Sequence, residues 1–100
     1  MYKIVSVTDK HKNIKQDFID EMKIKHGEEL LGDFVHYEYM KNNLEHKPSC
    51  CFEWADNSGK MLRTSYVESV SEYDNIIKIA TRNSIYWFEK VEGWLCLING

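Results

Sequence analysis

Apolar and polar positions alternate with a period of two over residues 2–7. Tyr2, Ile4 and Ser6 fall on one face and Lys3, Val5 and Val7 on the other, which predicts a strand. The polar residues 8–13 follow as a loop. From Ile14 the period lengthens: Ile14, Phe18 and Met22 fall at i, i+4 and i+8 with Ile19 beside them, and Lys15, Gln16, Asp17, Asp20, Glu21 and Lys23 cover the opposite side. That stripe predicts a short helix over residues 15–24, stopped by Gly27, with a two-faced strand as the rival reading. Gly32 and Asp33 punctuate the chain. Val35, Tyr37 and Tyr39 then alternate with His36 and Glu38, predicting a strand over residues 34–40. Residues 41–48 form a polar loop carrying the only proline.

The rest of the chain, residues 49–98, reads as a meander of short antiparallel strands. Strands over 49–54, 61–71 (one bent strand or two), 76–81, 84–91 and 94–98 are separated by Asp56-Asn57-Ser58-Gly59, by Glu72-Tyr73-Asp74-Asn75, by Arg82-Asn83 and by Glu92-Gly93. The last two links are short enough to force hairpins, and Asn83 and Gly93 can each take the positive φ that tight hairpins require. In residues 85–88 and again in 94–98 both faces are apolar, where an open sheet with one wet face would alternate. Two arrangements hide such strands. The sheet curls into a small barrel with the helix packed on its outside, which is the first choice, or a second copy covers it as a homodimer. The fold class expected is α+β, mostly β: a single domain over residues 1–100, an antiparallel meander curled into a small barrel-like sheet with one short helix.

Composition changes this picture little. With 43% apolar and 29% charged residues over 100 positions, the chain suits one globular domain. Its formal net charge of −3 argues against a general phosphate-backbone binder, though not against a local basic patch. No secretion signal or membrane-spanning run is evident, and Cys50 and Cys51 are adjacent among only three cysteines. Reduced thiols in a cytoplasmic protein are therefore expected.

No motif carries a catalytic or cofactor signature. The four histidines are dispersed, and the nearest approach to a zinc set, His46 with Cys50, Cys51 and Cys96, lacks two spaced ligand pairs. A Cys51–His36 pair would need strands that bring the two together. The five glycines are scattered singly, which excludes a P-loop. The expectation is no enzyme, no metal and no cofactor. Tyr66, Tyr73, Tyr86, Trp87 and Trp94 lie near Arg63, Lys78, Arg82 and Lys90, as in small barrels that bind single strands. Glu68, Glu72, Glu89 and Glu92 interrupt any basic stripe.

Residues 62–70, Leu-Arg-Thr-Ser-Tyr-Val-Glu-Ser-Val, and 77–89, Ile-Lys-Ile-Ala-Thr-Arg-Asn-Ser-Ile-Tyr-Trp-Phe-Glu, carry a resemblance. This pattern resembles small uncharacterised β-rich proteins of low-GC Gram-positive bacteria and their phages, over about a third of the chain. The resemblance implies a mobile-element protein without catalytic activity, of the kind that inhibits or sequesters a host component. Within the pattern, Thr64, Ser65, Asn83 and Ser84 suit bracing of strand ends and a tight turn.

Two functions follow as expectations. The first is a non-catalytic binding module for a host protein or small ligand, self-associating through the late strands. The alternative is a nucleic-acid-binding small barrel. A ligand site is expected at the hairpin end bearing Arg63, Ser65, Arg82, Asn83 and Tyr86, where arginine, amide and phenol offer directional recognition of anions or purines.

Overall fold

In the computed structural model, which describes residues 1–91, six antiparallel strands close into a barrel. The order is β1 (Tyr2–Thr8), α1 (Gln16–His26), β2 (Leu31–Val35), α2 (Tyr37–Asn42), a 3-10 turn (Leu44–His46), β3 (Ser49–Trp54), β4 (Met61–Tyr73), β5 (Ile76–Thr81) and β6 (Ile85–Lys90). Each strand pairs with the next, and β6 returns to β1 with Phe88 opposite Ile4 and Ile85 opposite Thr8. The expected mostly-β barrel from an antiparallel meander is thus what the chain forms. Residues 94–98, the last expected strand, lie outside the described residues.

Closure explains the doubly apolar residues 85–88. Tyr86 and Phe88 point into the core, whereas Ile85 and Trp87 are half-buried on the outer wall. Lys78, directly opposite Trp87 on β5, holds its ammonium 5.2 Å from the centre of the Trp87 ring. A cation over an indole face is favourable, and the lysine stem covers apolar surface as it reaches there. Inside, Phe34, Phe52 and Phe88 form an aromatic cluster with ring centres 4.7 to 5.5 Å apart. Ile4, Val7, Cys50, Val67, Ile77 and Ile79 pack around it.

Two strands achieve closure by local irregularity. In β1 a bulge between Ile4 and Ser6 shifts the register, so Ile4 and Val7 are both buried while Val5 is exposed. Simple alternation, which groups Val5 with Val7, fails there because a bulge inserts one extra residue. The stretch 61–71 is part of a single bent strand, the 13-residue β4. Irregularities between Ser49 and Cys51 against β3, and between Val67 and Ser69 against β5, let β4 curve from one partner to the other.

The expected strand over residues 34–40 is corrected. β2 ends at Val35, His36 takes a left-handed conformation (φ 54°, ψ 41°), and Tyr37 begins α2. The turn redirects the side chains: Met40 is buried, whereas Tyr39 is 61% exposed. Tyr37 packs on Phe34 and donates its hydroxyl to Glu72 at 2.7 Å. Gly32 is likewise no punctuation mark. It lies inside β2 between Tyr2 and Trp54, and a Cβ there would run into the Glu53 carbonyl and come 2.6 Å from the Phe52 ring.

Helix α1 ends two residues beyond the predicted one, so that its stripe gains the i+4 position His26. Its stripe of Phe18, Met22 and His26 meets side chains of the barrel's inner face, not its outer wall: Phe18 lies edge-on to Tyr86 and His26 stacks on Trp54. Ile14, counted in the predicted stripe, precedes the helix and bridges to Thr8, leaving it 63% exposed. Among the described residues, no helix is long and apolar enough to cross a membrane.

Candidate functional site

The link between β5 and β6 turns without a positive φ at Asn83, contrary to expectation. The buried Thr81 side chain supplies the closure instead. Its hydroxyl donates to the Ser84 carbonyl at 2.9 Å and accepts the Ser84 N–H at 3.1 Å, while the two residues' backbones bond at 2.8 Å. The Ser65 hydroxyl donates to the same Thr81 oxygen at 3.0 Å and accepts the Asn83 N–H at 3.3 Å. Thr64 accepts the Cys50 N–H and donates to the Ser65 carbonyl. The hydroxyl-rich segments of β4 and the β5–β6 turn are therefore locked together, and side chains beside them are held in place.

From the other side comes α1. Lys15, at the N-cap position, donates to the Ser84 hydroxyl at 2.6 Å and so ties the start of the helix to the turn. Phe18, three residues further on and on the helix stripe, closes on Tyr86 with ring centres 6.5 Å apart and planes at 77°. Between these elements lies a cleft of about 230 Å³ lined by Lys15, Phe18, Leu62, Arg63, Thr64, Ser65, Asn83, Ser84 and Tyr86. Phe18, Leu62 and Tyr86 supply apolar surface, and the remainder of the lining is cationic, amide or hydroxyl.

Charge singles this cleft out. Not one of its lining residues is acidic. Four other clefts, of about 220 to 420 Å³, each include carboxylates: Glu28 and Glu29 in two, Asp33 and Glu53 in a third, Asp17 in the fourth. Among the described residues, neither Lys15 nor Arg63 has a carboxylate partner. In a chain of net charge −3, two such cations beside one cleft form a local positive site. Burial raises the Tyr86 phenol above its ordinary value, with the Ser84 side chain partly offsetting it, so Tyr86 keeps its proton near neutrality.

Of the five residues expected at a site, Arg63, Ser65, Asn83 and Tyr86 line this one cleft. Arg82 does not. Its N–H is held by the Tyr66 carbonyl at 3.0 Å, and its guanidinium lies 5.9 Å from the Tyr66 ring centre, a ring that Lys47 also approaches at 5.5 Å. Lys15 and Phe18 were not legible as site residues, because their helix precedes the hairpin by more than sixty positions. Thr81, the hub of the turn, looks like any β-branched strand residue in sequence.

The other candidate constellations come apart. Val35, not His36, pairs with Cys51, and His36 leads into α2 instead. Cys50 is in the core, where burial pushes its thiol up to about 12, and Cys51 lies half-buried opposite Arg63. His46 is exposed beside Glu45. Among the described residues, no three His, Cys, Asp or Glu side chains gather as metal ligands would. Comparison with known proteins found no match among family models, curated proteins or solved structures.

Proposed function

We propose that the protein is a non-catalytic binding module that captures a small ligand in the cleft between the start of α1 and the β5–β6 turn, sequestering it without converting it. One observation carries this reading: a concave surface joins an apolar floor to convergent cationic and hydroxyl groups, on a scaffold locked by the Thr81 network. Small-molecule sites combine apolar surface with placed polar groups, and here the polar groups predominate, which suits a small polar ligand. The lining contains no Asp, Glu, His or Cys; its ionisable side chains are Lys15, Arg63 and Tyr86, and burial raises the Tyr86 phenol above its ordinary value. That favours capture over turnover.

The small-ligand reading is preferred to nucleic-acid binding because two of the candidate stacking rings, Tyr66 and Trp87, are already engaged by cations. Lys47 and Arg82 lie over Tyr66, and Lys78 lies over Trp87. A base stacking on either ring would compete with those cations. A library of small polar metabolites, screened by amide chemical shifts, tests the proposal. Binders should perturb Ser65, Asn83 and Ser84 together and be recovered chemically unchanged. Binders that all map elsewhere, or a metabolite that is consumed, would refute it.

A further inference from the structure

We propose that the group held in this cleft is a phosphoryl group, either free phosphate or the head of a small phosphate ester; this assignment rests on the binding-module reading above. The Lys15 ammonium has three N–H donors, of which one is committed, to the Ser84 hydroxyl at 2.6 Å. The Arg63 guanidinium has five, and among the described residues none is committed to a hydrogen bond or an ion pair. The Asn83 side-chain amide adds two more. On the acceptor side, Ser84 Oγ already takes Lys15, Ser65 Oγ takes the Asn83 N–H and Thr64 Oγ1 takes the Cys50 N–H. Each of these three hydroxyl oxygens thus already accepts one N–H, and although Asn83 Oδ1 and the Tyr86 phenol add acceptors, donors outnumber them and the cleft carries two positive charges. Its complement is a ligand rich in oxygen lone pairs and carrying close to two negative charges.

A carboxylate, with one charge and two oxygens, leaves part of that surplus unmet. A phosphate monoester carries about −1.5 to −2 charges near neutral pH and three terminal oxygens, which matches Lys15 and Arg63 together. Beneath these groups, Phe18, Leu62 and Tyr86 provide a floor for carbon, and about 230 Å³ limits that carbon to roughly one ring. Arg63 is exposed, with no structural partner among the described residues, so its removal tests recognition without disturbing the fold.

Four probes separate the possibilities: inorganic phosphate, phenyl phosphate, benzoate and phenol, each titrated at low salt while amide shifts are followed. Phenyl phosphate should bind one-to-one, move Ser65, Asn83 and Ser84, and weaken as salt is raised. Arg63→Ala should lower its affinity at least about tenfold, the scale of losing a charge-assisted hydrogen bond, with an unchanged circular dichroism spectrum. Inorganic phosphate matching phenyl phosphate would identify the free anion as the ligand, and much weaker binding would identify an ester. Both outcomes support the assignment. Benzoate or phenol binding as tightly as phenyl phosphate would overturn the phosphoryl assignment and leave the cleft a ligand site. An unchanged affinity in Arg63→Ala would overturn it too. Failure of all four probes would count against the binding-module reading as well.

Discussion

Nδ1 of His26 lies 2.8 Å from Oδ2 of Asp56, joining the last residue of α1 to the turn between β3 and β4. The imidazole is also stacked on Trp54, with ring centres 4.4 Å apart and planes within 8°. The Ser58 side chain, the His26 ring and the Ser58 N–H together hold the Asp56 carboxyl down at about 2. A carboxyl whose folded value lies below its unfolded value of about 3.9 stabilises the fold above that unfolded value. Its contribution is lost as pH falls through the folded value. Wild-type protein should therefore melt at a higher temperature than Asp56→Asn at pH 7, and the two melting curves should converge between about pH 4 and pH 2. Equal melting temperatures at pH 7 would remove the latch from the account.

Gly32→Ala tests how tightly β2 is pressed between its neighbours. The added methyl meets the Glu53 carbonyl and the Phe52 ring, and the backbone of a closed barrel has little room to retreat. Overpacking of this kind costs about 1–3 kcal/mol. Urea unfolding should show the loss, with an unchanged slope.

Thr81→Val replaces the turn's hub by a side chain of the same shape. The buried Ser84 N–H loses an acceptor and the Ser65 hydroxyl loses the group it donates to. A loss of about 1–3 kcal/mol is expected from the stranded polar groups. If the turn positions the cleft, this variant should also blur the amide shifts that ligands induce at Asn83, which Gly32→Ala should leave sharp.

The cysteines should separate by reactivity. Cys50 is buried with its thiol pushed up to about 12, first by burial and then by the neighbouring Cys51, so almost none of it is thiolate at pH 8. Cys51 is half-buried and reachable. Site-resolved mass spectrometry of native protein treated with iodoacetamide should find Cys51 modified before Cys50, with Cys50 reacting only once the protein unfolds. Prompt alkylation of Cys50 would contradict the placement of β3.

Much of the barrel was legible because strand alternation and turn residues are local. The runs over residues 49–54 and 76–81 coincide with β3 and β5, and the paired apolar faces of 85–88 pointed to closure. What was illegible depended on single backbone angles or on distant contacts. His36 ends β2 by a left-handed φ that nothing in Val-His-Tyr announces, and the bulge in β1 parts Val5 from Val7, which simple alternation places on one face. The site divided the same way. Arg63, Ser65, Asn83 and Tyr86 are neighbours through one hairpin and its adjoining strand, whereas Lys15 joins them by a bond spanning 69 positions.

The pairing of β1 with β6 has a consequence for how the chain acquires its structure. Tyr2 lies opposite Lys90, and the Val91 N–H reaches the Met1 carbonyl at 2.8 Å. During synthesis the first strand made must wait for the sixth, so one seam of the sheet stays unzipped until nearly the whole described chain has left the ribosome. Contacts of such long sequence separation slow folding and bind its steps into one event. The cleft between α1 and the β5–β6 turn inherits that timing, because Ser84 and Tyr86 join Lys15 only when the seam is sewn.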